Sequence, residues 1–423
     1  MAVDAFPPWE ERAKDKQSRI LSGVPAQFIH DGLTFSETET ASVQDVPGKL
    51  LSPLEKEITS LKAEELIPAL ASKTYTAVQV LDSFTHRAAI AHKLLHCCLE
   101  FCYSAARARA TQLDQYLAET GMTIGPLHGL PISVKDQCRM VGTETTCGFI
   151  CNLGTKDTED CILVDILQQA GAVPFVKTNL SVGCMWGETV NQYAANPSFD
   201  DIDVCVVNVC LGVVSSVERV MHIIGRSLAV APVAVKGLCC HFEAVQWGSE
   251  LIWEDRFEGE HLCCSIPLAL NLLEDNSPCA YNGLFGLRPS NGRIPYYRML
   301  NSCEGQEIIP SVVGPMTHSA KSLELITKTA VDSQPWLKDP QCLPIPWREE
   351  EANEIKNGRK LRIGIMHWDN VILPQPPIRK ALKDVEEKLK AAGHEIVEWK
   401  IDHVRALDMA VWMLLARPYL LID

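Results

Sequence analysis

Gly125-Pro126-Leu127-His128-Gly129-Leu130-Pro131-Ile132-Ser133-Val134-Lys135-Asp136-Gln137 places a lysine at the end of a short apolar run. Gly125, Pro126, Gly129 and Pro131 punctuate the backbone, and Ile132, Ser133 and Val134 then read as a strand. Lys135 therefore emerges where a strand meets a loop. A lysine taken out of water at such a place loses much of its preference for the charged state and can accept a proton, the role of the base in a serine–lysine hydrolase. The residues alone leave a second reading open, in which Lys135 is an exposed strand-end lysine paired with Asp136.

Downstream, Leu163, Ile166, Leu167 and Ala170 stripe one face of a helix, Gly171 stops it, and Val173 to Val176 reads as a strand. The result is a βαβ unit. The same alternation returns near the end: Leu361 to Ile365 as a strand, a helix striped by Ile378, Leu382, Val385 and Leu389, a stop at Gly393, and a strand from Ile396 to Trp399. Upstream, Thr76 is a candidate N-cap for a helix whose Ala77, Leu81, Phe84 and Ala88 share a face, and a second helix runs from Ala105 to Leu117. Alternating strands and helices favour an α/β fold with its sheet covered on both faces. The proline-rich stretch Gln334 to Glu350 reads as a boundary.

With 423 residues, 47% of them apolar, the chain can bury a large core. Its 39 basic and 53 acidic residues give a formal charge of −14, which disfavours nucleic acid and anionic membranes as partners. Met1 to Leu21 lacks the apolar stretch of a secretory leader and no later run is long enough to span a bilayer, so a cytoplasmic protein is the expectation. The 17 cysteines then read as reduced thiols packed as small hydrophobes, with Cys97, Cys98 and Cys102 in helical periodic sequence.

Gly125 to Gln137 resembles the lysine motif of the amidase signature family, in its fungal acetamidase-type branch. Similar stretches are Leu51 to Ile58, Arg87 to His92, Ala170 to Asn179, Met185 to Asn191, Ala280 to Ser290 and Val313 to Met316. The resemblance implies an α/β fold with a mixed central sheet and helices on both faces. It also implies hydrolysis of a small carboxylic amide to acid and ammonia through an acyl-enzyme, without metal or cofactor, and with Lys135 as the base. The expected organisation is one domain over 1–423, with a helical lead-in over 1–120, the lysine-bearing part of the core over 121–199, a divergent segment over 200–276 and a resumed core over 277–423. The chain stops at Asp423 inside an apolar pattern that begins near Ala406, so against the family the closing helices are expected to be missing.

The family chemistry needs two serines besides the lysine. A bridging serine belongs in a Gly-Gly-Ser-Ser-Gly-Gly-Glu type loop and the nucleophile in a Gly-Gly-Ser-Ile-Arg-Ile-Pro type loop, whose backbone N–H groups hold the oxyanion. Neither loop is present. The family pattern runs to Pro197 and resumes at Pro278; counting back from there, the nucleophile slot falls on Glu274 and the glycine slots on Leu272 and Leu273. Ser215 and Ser216, within Val213 to His222, invite alignment with the bridging-serine loop, but valines stand where that loop needs glycines for close approach and positive φ.

Cys184 corresponds by resemblance to a substrate-contacting position, with a buried thiol as the alternative. Cys239-Cys240-His241 and His261-Leu262-Cys263-Cys264 raise a zinc-stabilised module as a further reading, but adjacent cysteines point apart on a strand, so no bound metal is expected. Asp136 reads as a solvated strand-end acid, since an acid at work beside the lysine would favour its charged form. Ser133, Asn282, Gly283 and Arg288 read as structural.

Two functional readings follow: an amide hydrolase, and an inactive homologue or binding protein that keeps the remnant pocket. The divergent segment carries one clue to its origin. Reading the codons of Val217 to His222 one base earlier permits Gly-Gly-Glu-Gly-Asp-Ala, the glycine-rich text of the family, although no codon pair at Ser215 and Ser216 restores serines in that frame. Sequencing the transcript across codons 197 to 280 is expected to reveal an alternative frame or splice. An uninterrupted transcript with no such frame removes the displaced-frame reading.

Overall fold

The computed structural model describes residues 7–33, 45–179, 269–271 as backbone, 279, 283–301, 310–368, 373–400 and 405. The chain divides into two compact units, one of residues 1–219 with 258–346 and one of residues 220–257 with 347–423. The division after Pro346 falls inside the proline-rich stretch Gln334 to Glu350.

In the first unit the lead-in is helical: α1 (Trp9–Arg19), α2 (Val46–Leu50), α3 (Pro53–Ser60), α4 (Ala63–Ala71) and α5 (Ala77–Leu95). Thr76 starts α5 with a capping box. Its side chain accepts from the Gln79 N–H at 3.0 Å while Gln79 Oε1 accepts from the Thr76 N–H at 2.9 Å. The next two orphan donors, the N–H groups of Ala77 and Val78, are met by Asp114 from α6 (Tyr103–Thr120) at 2.7 and 3.1 Å. Between α5 and α6 the chain does not continue as a helix through the cysteines. His96 takes a left-handed conformation, φ 52°, and Cys98–Phe101 forms β1, so pairing with the sheet overrides the helical periodicity of Cys97, Cys98 and Cys102.

The sheet of this unit holds β1, β2 (Pro131–Lys135), β3 (Val173–Thr178), β4 (Ala269–Asn271), β5 (Phe285–Gly286) and β6 (Gly314–Thr317), in the order β1-β3-β2-β4-β6-β5. It is mixed. β2 runs parallel to both β3 and β4, while β1 pairs antiparallel with β3 and β6 antiparallel with β4 and β5. Strand β2, helix α7 (Ile162–Gln169) and β3 form the expected βαβ unit, in which Leu163, Leu167, Ile132, Val134, Val173 and Phe175 are all buried. Helices α5 and α6 pack against this part of the sheet, and α8 (Ala320–Asp332) packs against β6 and α7.

The glycines of the opening motif dock it onto the α7–β3 turn. Leu127 N–H donates to Ala170 O and Gly129 N–H to Gly171 O, both at 2.9 Å. A Cβ on Gly125 would stand 2.6 Å from Ala170 O, and one on Gly171, at φ 98°, would stand 2.7 Å from the His128 Cα. Of the nine cysteines among the described residues none is in a disulfide, and seven are buried.

The second unit holds α9 (Glu349–Lys356) and the parallel pair β7 (Arg362–Ile365) and β8 (Glu395–Glu398), joined by α10 (Pro376–Ala391). Gly393, φ 84°, ends the helix as the sequence implies. The stripe of α10 is less covered than expected, with Ile378 53% and Val385 49% exposed, because two strands offer too little surface to bury a helix of this length.

Gly171→Ala tests the docking turn. Positive φ and the His128 backbone both oppose a methyl group, so the variant is expected to lose at least about 1–3 kcal/mol of stability, read as a lower urea midpoint.

Candidate active site

Lys135 is the last residue of β2, and all five residues of that strand are buried. Lys135 itself is 4% exposed, which removes the exposed strand-end reading. The strand register sorts its neighbours by face. Lys135 stands opposite Thr178, and Ser133 opposite Val176, so these four share one face of the sheet. Val134 stands opposite Lys177, which in turn stands opposite Glu100 of β1, so Val134, Asp136, Lys177 and Glu100 belong to the other. The ladder runs one step past the strand, with Asp136 N–H donating to Thr178 O at 3.1 Å, and Cys138 N–H then closes a turn onto Lys135 O at 2.9 Å.

Asp136 is not a solvated acid, as the sequence suggested, but fully buried. Thr146 supplies what water would otherwise give: its N–H lies 3.2 Å from both carboxylate oxygens and its hydroxyl donates to Oδ2 at 2.8 Å. The Lys177 ammonium lies 3.5 Å from Oδ1, with both side chains wholly inaccessible to solvent. A carboxylate buried at this depth is tolerable because it is paired and hydrogen-bonded at once. Among the described residues Lys135, by contrast, makes no ion pair with a carboxylate.

A wider charged network backs the same face. Lys177 Nζ donates to Thr145 Oγ1 at 2.6 Å and to Glu144 O at 3.4 Å, and the Thr145 hydroxyl donates to Asp157. The Glu144 carboxylate meets Lys16 of α1 at 3.0 Å and Arg19 at 3.6 Å, and Lys16 also reaches Glu100 at 2.8 Å. Burial pushes the Glu144 carboxyl up, but the Lys16 hydrogen bond, the Lys16 and Arg19 charges and the Gly154 N–H outweigh it, leaving the carboxyl below its usual range. Helix α1 is thereby tied to the loop behind the lysine strand.

Strand β4 completes the geometry. It runs parallel to β2 with Val134 opposite Leu270, so the chain leaves both strands at the same end of the sheet. The residues that follow β4 in sequence are Leu272, Leu273 and Glu274. Those three, together with Ser215, Ser216, Cys184, Asn282 and the cysteine–histidine pairs at 239–241 and 261–264, lie outside the described residues. Gly283 and Arg288 are exposed. Among the described residues no group of three His, Cys, Asp or Glu side chains is placed to hold a metal. Sequence reasoning missed Lys177 and Thr146. A lysine inside the apolar run Val173 to Thr178 was a signal for the first, whereas a loop threonine carries none.

The amidase family model matches residues 79–198 and 276–417. The chain belongs to the amidase family. It is 37% identical over 419 residues to the acetamidase of Emericella nidulans, covering 95% of this chain and 68% of that one. To the acetamidase of Aspergillus oryzae it is 36% identical over 408 residues, covering 95% and 67%. Among solved structures, a fatty acid amide hydrolase is 26% identical with a TM-score of 0.69, covering 93% of this chain and 62% of that one. The native peptide amidase of Stenotrophomonas maltophilia, 18% identical with a TM-score of 0.52, covers 80% and 62% and shares the fold. The chain thus spans about two thirds of the length of these relatives. Residues 199–275 lie outside both stretches matched by the family. No helix among the described residues is long and apolar enough to cross a membrane.

Glu144 gives a pH test. Its folded pKa lies below the usual 4.5, so its contribution to stability is complete above that pH and is lost as pH falls through the lowered value. Glu144→Gln is expected to cost about 1–3 kcal/mol near neutral pH. That difference is expected to shrink as the acid limb of a urea-midpoint titration descends below pH 4.5.

Proposed function

We propose that this chain carries the lysine half of an amide-hydrolase site, of the type that converts a small carboxylic amide to acid and ammonia, with Lys135 as the base. The observation that carries this reading is the burial of Lys135 at the end of β2, without a carboxylate partner among the described residues, at the same end of the sheet where β4 stops. In the full reaction of this type, the lysine draws a proton through a bridging serine from a second serine. The second serine attacks the amide carbonyl, backbone N–H groups hold the oxyanion, ammonia leaves, and water hydrolyses the acyl-enzyme. The acetamidase relatives support amides as the substrate class.

A second reading concerns the serine half and is favoured by Leu272-Leu273-Glu274, which occupy the family's Gly-Gly-Ser positions directly after β4. Two leucines in place of glycines remove the backbone freedom of an oxyanion turn, and a carboxylate in place of the hydroxyl removes the nucleophile. Ser215 and Ser216, flanked by valines, do not restore the bridging loop, and Cys184 supplies at most a pocket wall. In this reading the chain as written stops short of an acyl-enzyme and the lysine site is a remnant. A zinc-stabilised module stays the weaker alternative on the ligand spacing.

The two halves separate experimentally. Folded protein is expected to remain unlabelled by a serine-directed fluorophosphonate and to release no ammonia from acetamide or benzamide. Labelling or turnover that disappears in Lys135→Ala overturns the remnant reading and establishes a working hydrolase.

A further inference from the structure

Two lysines lie near the ends of adjacent parallel strands, and their surroundings differ. Lys177 is fixed by Asp136, Thr145 and the Glu144 carbonyl, whereas Lys135 makes no ion pair with a described carboxylate although Asp136 is its neighbour in the chain. Strand alternation sends the two side chains of Lys135 and Asp136 to opposite faces, and Lys177 stands on the face that receives the carboxylate. Thr146 completes the carboxylate's shell through its N–H and hydroxyl. We infer that Lys177 is a positioning residue for the Lys135 site: it holds the Asp136 carboxylate on the far face of the sheet and so leaves the Lys135 amine uncommitted.

This rests on the reading of Lys135 as the site's base, and the physical argument concerns where one carboxylate finds its counter-charge. An amine within reach of an opposite charge is held in its protonated form, which neither accepts a proton nor attacks an electrophile. Asp136 is tied to the ladder only through its N–H, and Lys177 and Thr146 are the groups that hold its carboxylate on the far face. Without Lys177, a buried carboxylate would be left with two neutral donors from Thr146 and, one residue away, a lysine that has no carboxylate partner among the described residues. Two routes to neutralisation are then open to it, uptake of a proton and a turn toward Lys135, and only the second changes the state of the Lys135 amine.

The experiment reads the Lys135 amine directly and needs no hydrolytic activity, so it stays informative whether or not the chain turns over amides. Folded wild type, Lys177→Met, Asp136→Asn and the double variant Asp136→Asn with Lys177→Met are acetylated with limiting acetic anhydride. The rate of modification at Lys135 is measured by peptide mass spectrometry against surface lysines of the same sample. Lys177→Met is expected to slow acetylation of Lys135 about tenfold or more, the effect of a new opposite charge within ion-pairing range. The double variant, with no charge left to redirect, is expected to return to the wild-type rate. An unchanged rate in Lys177→Met, or a double variant as slow as Lys177→Met, overturns the inference. If Lys177→Met does not fold, the other two variants decide: both are expected to label at least as fast as wild type, and slower labelling in either overturns the inference. A Lys135 that resists acetylation in wild type also overturns it.

Discussion

A charge placed inside a sheet has to meet its opposite on the same face, and the buried pair of Asp136 and Lys177 is where this fold satisfies that requirement. Everything around the lysine strand is arranged about it. Thr146 holds the carboxylate, Thr145 and the Glu144 carbonyl hold the ammonium, and Lys16 and Arg19 from α1 hold the Glu144 side chain. Removing either member of such a pair exposes the other to the full cost of an unpaired buried charge, about 3–5 kcal/mol in comparable cases. The network therefore links the N-terminal helix, the edge strand β1 through Glu100, and the loop from Cys138 to Cys161 into one support for two adjacent strands.

Backbone close approach is the second constraint. The opening motif can sit on the α7–β3 turn only because Gly125, Gly129 and Gly171 leave room where any side chain would strike backbone or demand strain. That docking sets where β2 starts, and five buried residues later it sets where Lys135 stands. The same thirteen residues thus supply the turn, the strand and the buried amine, so the motif's glycines place its lysine.

The βαβ unit was legible because its signals are local: an apolar stripe at helical spacing, a glycine stop, a β-branched run. Thr76 was legible for the same reason. What failed to show in the sequence depends on partners far away in the chain. Cys97, Cys98 and Cys102 carry a helical period, but β3 recruits the segment as an edge strand, and no local signal reports that pairing. Asp136 looked like a surface acid because its shell comes from Thr146, ten residues on, and Lys177, 41 residues on in the chain. The stripe of α10 predicted a covered face, and the small sheet beneath it leaves half of Ile378 in solvent.

The placement of the two lysines bears on what the fold retains. Strand alternation keeps Lys135 from pairing with the carboxylate beside it, because the two side chains leave the strand on opposite faces. Here the carboxylate beside Lys135 is committed to a lysine on another strand, with two donors from a distant loop to hold it there, and the amine at the strand end is left without it. Among the described residues no carboxylate offsets the burial of that amine, a cost that packing alone does not explain. A buried amine at the end of the sheet where β2 and β4 both stop is what the proposed lysine-based chemistry calls for. On the proposed reading the lysine side of the site keeps its physical logic, whereas Leu272, Leu273 and Glu274, which follow β4 in sequence, bring none of the groups that would use it.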